Sequence, residues 1–463
     1  MTFKDSQYEN KTLKRVKTGG FERRLSLAKA GLIAGIRLAA NSTGSLFLSK
    51  EKREAKQRES LSKEALYLVH ELGKLKGSVV KIGQMMALWG EHYLPEEITS
   101  ALHTLEDQSA MLDWSVMQKI LEEELSEEKR SELDIQPYPI GTGSLGQVHL
   151  AVRKKDGKKI CLKIQYPGVA DAIDSDLDSV ATLLRLTRLV PFNEGFNDWL
   201  EEVRQMLKRE TNYPLELETT LRFREHLSDD DRLIIPDVFP EYSSTQIIAT
   251  SFEEGISVDS PLFLAVEQSR RNRIAEASIH LCWREVFELG EMQTDPNFGN
   301  FLVRLDEINH QDKLILIDFG AVKRFDNDIL KYGIELVKGS FYHNSEQLKQ
   351  AVIDLHFLPK VASNKLFEAF AEVCFLAIEP FTDPALHPVP PEIINNKGEY
   401  KWAQSNLTTR IMKKAASAAL SRHFSIPPKE FMFLSRKIMG AYTLLSVVRA
   451  EINGFNIIKK FLT

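Results

Sequence analysis

Five short stretches of the chain hold side chains whose types and spacing could do chemistry. "MQTDPNFGNF" (292–301) sets Asp295 five residues before Asn300, and "LIDFGA" (316–321) carries Asp318 ahead of Phe319 and Gly320. "PIGTGSLGQVHLA" (139–151) spaces Gly141, Gly143 and Gly146 as G-x-G-x-x-G, with Thr142 and Ser144 interleaved. "CLKIQ" (161–165) contributes Lys163, and "NYPLELETTLRFREHL" (212–227) offers Glu216 and Glu218. Glycines, lacking a Cβ, let backbone N–H groups approach crowded anionic oxygens. A lysine grips phosphates, and a glutamate fixes that lysine through a charge-assisted bond. Asn300 and Asp318 would give Mg²⁺ one neutral and one anionic oxygen, the hard ligands it demands. These are the parts needed to hold ATP with its magnesium, and Asp295 falls where an incoming hydroxyl or water would be oriented.

The glycine spacing alone fits two sites. A dinucleotide site needs strand, glycine turn and then helix, with an acidic residue about 20 positions on. Here the turn is followed by "QVHLAVR", which alternates as a strand. Strand, glycine loop, strand is the geometry of a protein kinase, in which a hairpin tip covers the nucleotide phosphates. That geometry asks in order for a strand lysine, a helix glutamate, an Asp with an Asn five residues later, and D-F-G after a strand. Lys163, Glu216 or Glu218, Asp295 with Asn300, and Asp318 answer in that order. Each fragment alone is weak, and their conjunction in the right secondary context is strong.

The elements that must position these residues can be read from periodicity. Residues 139–165 read as β structure, 170–227 as helices, and "RLIIPDVF" and "TQIIATSF" as two further strands. After "EEG" (253–255) the pattern is helical, interrupted by a hairpin over 301–322. Before the glycine loop, an amphipathic helix is expected from about 62 to 89 and more helix over 91–135. The organisation expected is a basic arm with an amphipathic helix (1–60), a helical extension (61–135), a small β-rich lobe with a helical insert (136–254) and a large helical lobe (255–463). The fold class is α+β, a two-lobed protein-kinase-like fold with a helical N-terminal extension.

The 463 residues are 43% hydrophobic and 27% charged with a net charge of −5, so the whole molecule is no polyelectrolyte binder. Residues 1–60, however, hold fourteen Lys/Arg against six Asp/Glu. Within them, "FERRLSLAKAGLIAGIRLAA" (21–40) has the profile of an interfacial helix on anionic lipid. Nucleic acid is not expected, because residues 10–60 offer only Phe21 and Phe47 for base stacking. The three cysteines, Cys161, Cys282 and Cys374, form no CxxC pair, which fits reducing conditions. Neither a secretory leader nor a run of about 18–20 uncharged apolar residues is legible. The localisation expected is therefore cytoplasmic and peripheral on a membrane.

Three features depart from an ordinary protein kinase. Gln293-Thr294 stands where His-Arg would precede the Asp, no A-P-E follows D-F-G, and the long step from Lys163 to Glu216 implies an inserted helical segment. The chain resembles the UbiB/AarF/ADCK group of atypical kinase-like proteins over roughly residues 60–455. The resemblance rests on K-x-G-Q (Lys81 to Gln84), "QYPGV" (165–169), "MQTDPNFGNF", "LIDFGA" and the closing "FMFLSRKIMGAYTLLSVVRAEIN". It implies an ATP- and Mg²⁺-binding ATPase that supports biosynthesis of ubiquinone or a related isoprenoid lipid at a membrane. It also implies that Lys81 and Gln84 face the nucleotide site in a regulatory role, and that Glu216, from the Y-x-x-E arrangement, is the partner of Lys163. Two positions break the family pattern. The phosphate loop is glycine-rich where most members have alanine, and the family's E-x-D motif reads Glu210-Thr211-Asn212, so an ion pair from Lys81 to that motif would use Glu210. Two other functions fit the same residues: a small-molecule kinase, and a nucleotide-gated scaffold for biosynthetic enzymes. Beyond lipid, the partners expected are quinone-biosynthesis enzymes or a lipid precursor, with a homodimer as a further arrangement.

Overall fold

A computed structural model of the chain describes residues 78–89, 111–187, 194–295, 297–358, 360–383, 386–419 and 429–462, together with 59, 62, 63, 66, 67, 100 and 102. The basic arm and the expected interfacial helix over 21–40 lie outside the described residues. The chain separates into two units. The first holds the described residues up to Glu218 and Asp237–Phe252, and the second holds Thr219–Pro236 and the described residues from Glu253 on. Where the sequence places one small lobe over 136–254, this division assigns Thr219–Pro236 to the second unit.

The first unit is built on a four-stranded antiparallel sheet in the order β1 (Leu133–Thr142), β2 (Gly146–Arg153), β3 (Lys159–Gln165), β4 (Ile247–Ser251). Alternation along β2 and β3 sends Ala151, Ile160, Leu162 and Ile164 into a core where each is fully buried. Burying each of the isoleucine and leucine side chains contributes roughly 1.5–3 kcal/mol. β1 begins at Leu133, earlier than the strand start expected at Pro139. Leu133 and Ile135 already alternate inward, and Pro137 and Pro139 are tolerated because β1 is an edge strand whose register shifts on both sides of Pro139. Helices α1 (Ser78–Trp89), α2 (Trp114–Glu124) and α3 (Glu127–Ser131) precede the sheet. The inserted segment is α4 (Val169–Thr187) and α5 (Glu194–Glu210), and α6 (Tyr213–His226) follows. α1 packs on α4 through the buried Ser78 hydroxyl, which donates to the Asp176 carboxylate.

"RLIIPDVF", expected to be one strand, is split: Leu233–Ile234 runs parallel to a strand of the second unit, and Val238 makes a single antiparallel bridge to Thr250 of β4. Pro236 lies between them and lacks the N–H that a longer ladder would need. The second unit's mixed sheet runs Leu233–Ile234, β8 (Lys313–Leu316), β7 (Phe301–Arg304), β5 (Ile256–Ser257), and β6 (Glu291–Gln293) pairs with β9 (Val322–Arg324). Its longer helices are α7 (Gln268–Arg284), α8 (Asn327–Phe341), α9 (Ser345–Asp354), α10 (Asn364–Ile378), α11 (Leu407–Ala419), α12 (Lys429–Val447) and α13 (Gly454–Leu462). One core joins α7, the sheet and α12 around Trp283, Phe381, Trp402 and Tyr442, and a second joins α8, α9 and α10. α7 runs into a π-helical turn, Glu285–Leu289, which closes at Gly290 with φ 66°. That left-handed conformation suits glycine and swings the chain into β6 just ahead of Asp295.

Candidate functional site

In the first unit, β2 and β3 place Lys163 opposite Val148, and β4 supports it at Ile248. Lys163 Nζ donates to both Glu216 oxygens, at 2.8 and 3.0 Å, and lies 5.3 Å from the Tyr213 ring centroid. Glu216 is buried in the first turn of α6. A carboxylate there is favoured by the helix N-terminus, so the helix aims it and the lysine neutralises it. Glu218, two residues on, is exposed. Asn212 opens α6 by accepting the Leu215 N–H at 3.1 Å, a capping task that a neutral amide performs as well as a carboxylate.

β1 and β2 pair up to Thr142 and Gln147, so the hairpin tip is Gly143, Ser144 and Leu145. The Gly143 N–H donates to the Gly146 carbonyl at 2.8 Å and closes the tip, and Leu145 is buried in the core. The glycines serve different ends. A Cβ on Gly146 would collide with the Ile164 carbonyl and come within 3.0 Å of Tyr213 Oη, so the fold itself requires that glycine. Among the described residues a Cβ on Gly141 or Gly143 would meet nothing nearer than 4.0 or 3.5 Å, so none of them takes the space beside these two glycines.

On the same unit Lys81 Nζ pairs with Glu210 at 2.8 Å, with both side chains largely buried. Gln84 lies in the same helix, α1. A lysine that its sequence neighbours mark as an ordinary surface residue is thereby tied to the end of α5.

In the second unit the antiparallel β7–β8 hairpin brings Asn300 and Asp318 to one end. Asn300 precedes β7, Asp318 follows β8, and the Ile317 N–H donates to the Asn300 carbonyl at 3.2 Å. Both line one small cavity with Gln293 and Lys437. Asp318 Oδ1 accepts the Gly320 N–H at 2.8 Å, and Phe319 packs against Phe223 with centroids 5.1 Å apart. Asn300 Nδ2 donates to Asp295 Oδ2 at 3.0 Å. Gln293, where a kinase has histidine, does the bracing. Its amide donates to the Asp318 carbonyl at 2.7 Å, and its oxygen accepts the Asp295 N–H at 3.0 Å. Thr294 donates twice, from Oγ1 and N–H, to the Ala321 carbonyl.

Three residues that sequence reading did not single out stand around this loop. Glu285, almost wholly buried, accepts the Gln293 N–H at 3.3 Å and pairs with Lys437 of α12. Burial pushes its carboxyl up, against the opposing pull of Lys437 and the Gln293 N–H. Arg436, the preceding residue of α12, lies 3.5 Å from Asp295 Oδ1. The available signal was Glu285 beside bulky apolar residues in "LCWREVFEL" (281–289), a stretch that also holds Arg284 and Glu288, since a buried carboxylate needs a cation.

A glycine-tipped antiparallel sheet with a lysine–glutamate pair, and a second unit with Asp295, Asn300 and Asp318 on paired strand ends, define a protein of the kinase-like class. The ABC1 atypical kinase-like domain matches residues 104–352, over half of the sequence, and the chain belongs to that family. Lys163, Glu216, Asp295, Asn300 and Asp318 all fall within the matched residues, whereas Lys81 and Arg436 fall outside them. The chain is 28% identical over 407 residues to the probable serine/threonine-protein kinase abkA of Dictyostelium discoideum, covering 85% of this chain and 70% of that one. It is 30% identical to the mitochondrial atypical kinase COQ8B of Rattus norvegicus, covering 83% and 69%, and 29% identical to COQ8B of Danio rerio, covering 84% and 59%. Among solved structures, the complex of Rv3197 with erythromycin from Mycobacterium tuberculosis superposes with a TM-score of 0.56 at 20% identity, over 89% of this chain and 98% of that one. That likeness concerns the fold.

Proposed function

We propose that this protein is a Mg²⁺-dependent, ATP-binding atypical kinase-like ATPase that supports biosynthesis of ubiquinone or a related isoprenoid lipid at a membrane surface. The observation that carries the reading is Lys163 held by both oxygens of a buried Glu216, on the sheet whose glycine-rich hairpin runs through Gly141, Gly143 and Gly146. An ammonium fixed in this way is set to receive anionic oxygens. The residues present fit ATP and Mg²⁺. The room beside Gly141 and Gly143 admits phosphate oxygens to the backbone, with Thr142 and Ser144 as further donors. Among the described residues no cluster of three or more His, Cys, Asp or Glu could cage a metal alone. That suits an ion that takes one or two carboxylates and completes its shell with phosphates and water. Asn300 and Asp318 would hold it, and when bound it neutralises charge on the phosphates. Asp295 accepts the hydrogen bond of the incoming water or hydroxyl and orients it. Lys81, paired with Glu210, and Gln84 carry the regulatory role in this reading.

No helix of the described residues is long and apolar enough to cross a membrane. The membrane part of the proposal therefore rests on the basic composition of residues 1–60. The test is phosphate release by the purified full chain with ATP and MgCl₂, with and without cardiolipin-containing vesicles. Turnover should need Mg²⁺, rise with vesicles, and disappear in Lys163→Met. Vesicle stimulation should vanish when residues 1–40 are removed. Calorimetry showing no heat from ATP at millimolar Mg²⁺ would overturn the nucleotide reading, and a rate indifferent to vesicles would overturn the membrane part.

A further inference from the structure

We propose that Arg436 is a positioning residue for Asp295, delivered by α12 to supply the cation that the catalytic loop itself lacks. The inference rests on the reading of Asp295 as the group that orients the incoming hydroxyl or water. From Gln293 to Phe301 the loop reads QTDPNFGNF and contains no lysine or arginine. An aspartate that must work beside a triphosphate is repelled by it, and a fixed cation on its far side offsets that repulsion. Asp295 is held from two directions. Oδ2 accepts from Asn300 Nδ2 at 3.0 Å, and Oδ1 faces Arg436 Nη2 at 3.5 Å. The Arg436 side chain is only 15% exposed, so this is no loose surface arginine.

The neighbouring residue explains why the arginine stays in place. Successive residues of an α-helix point about 100° apart, so Arg436 and Lys437 address two different points of the loop. Lys437 pairs with the buried Glu285, which in turn accepts the Gln293 N–H. Gln293 then accepts the Asp295 N–H at 3.0 Å. The same helical turn thus fixes the loop backbone through Lys437 and the Asp295 side chain through Arg436. At 3.5 Å the arginine acts on the carboxylate by charge and leaves its lone pairs open to an incoming hydroxyl.

The test uses the full chain and Mg²⁺-ATP turnover in Asp295→Asn, Arg436→Ala, Arg436→Lys and the double variant Asp295→Asn/Arg436→Ala, with melting temperatures alongside. If Arg436 acts through Asp295, Arg436→Ala lowers kcat by about tenfold to a hundredfold, the usual size of a supporting-residue loss, while KM for ATP changes little. Arg436→Lys recovers part of kcat, and the double variant is no slower than Asp295→Asn alone. Millimolar guanidinium, against sodium chloride as control, partly restores Arg436→Ala, which a purely structural role would not allow. Should Arg436→Ala fail to fold, Arg436→Gln, which keeps most of the side chain, takes its place. An unchanged kcat in the arginine variants, or a double variant slower than Asp295→Asn by the full single-variant factor, overturns the inference. If Asp295→Asn itself turns over normally, the reading of Asp295 falls and this inference with it.

Discussion

Lys437→Met should be among the most destabilising single changes in the second unit, because it strands a charge. Glu285 is 1% exposed and its cationic partner is Lys437, itself nine-tenths buried. Breaking a buried pair from one side leaves the other charge uncompensated and costs about 3–5 kcal/mol. For a domain of 150–250 residues that corresponds to a fall in Tm of about 6–20 °C. The pH dependence has a definite sign. Burial already raises the Glu285 carboxyl above its ordinary value of 4.5, so the folded state binds that proton more tightly than the unfolded chain does. Its contribution is fully present below pH 4.5 and is lost as pH rises through the folded value. Removing Lys437 widens that gap, so the variant should be closer to wild type at pH 5.5 than at pH 8. Differential scanning calorimetry at both pH values checks this. Glu285→Leu/Lys437→Met, which removes both charges, should recover most of the loss. A single variant melting within about 2 °C of wild type at pH 8, or a deficit that grows as pH falls, would refute the reasoning, by the same conversion.

Two further outcomes follow from the first unit. Gly146→Ala forces a Cβ onto the Ile164 carbonyl and should cost about 1–3 kcal/mol by overpacking, whereas Gly141→Ala, with no described residue inside 4.0 Å, should leave Tm unchanged and weaken ATP binding; calorimetric titration beside a melt separates the two. His149, fully buried, turns Nδ1 to the Gln136 carbonyl at 2.9 Å, so Nδ1 carries the proton and Nε2 accepts from Gln147. Burial holds its pKa below the ordinary 6.5, so its stabilisation is present above pH 6.5 and lost as pH falls below it. Melts between pH 7.5 and 5.5 should show that slope, reduced in His149→Gln; an equal slope in both proteins would count against it.

How much of this is legible in the sequence depends on whether the information is local. Strands β2 and β3 announce themselves by alternation, and the order of lysine, glutamate, aspartate, asparagine and D-F-G could be checked fragment by fragment, since each motif spans only a few consecutive residues. The start of β1 was misplaced because proline reads as a breaker in a single chain, and only the sheet reveals that β1 is an edge strand that tolerates it. The strand expected at "RLIIPDVF" shrank for the converse reason. Its apolar residues are real, but Pro236 removes the donor that a longer ladder would need. Gln293 was visible as a departure and its consequence was not. Its amide does both jobs at once, one donor and one acceptor, only because Asp318 and Asp295 converge on it in space.

The support behind Asp295 was the least legible part, and the reason is physical. Arg436 and Lys437 sit in a helix far down the chain, and nothing in "FLSRKIMG" distinguishes two cations bound for the carboxylates of Asp295 and the buried Glu285 from two that point at water. The informative residue was their partner. Leaving Glu285 charged among Cys282, Trp283 and Val286 without a cation would cost several kcal/mol, so an acid at that position obliges some distant element to bring one. Sequence alone, with Arg284 adjoining Glu285, leaves that need unseen; only the fold shows that Glu285 is buried, that Lys437 answers it and that the neighbouring arginine reaches Asp295.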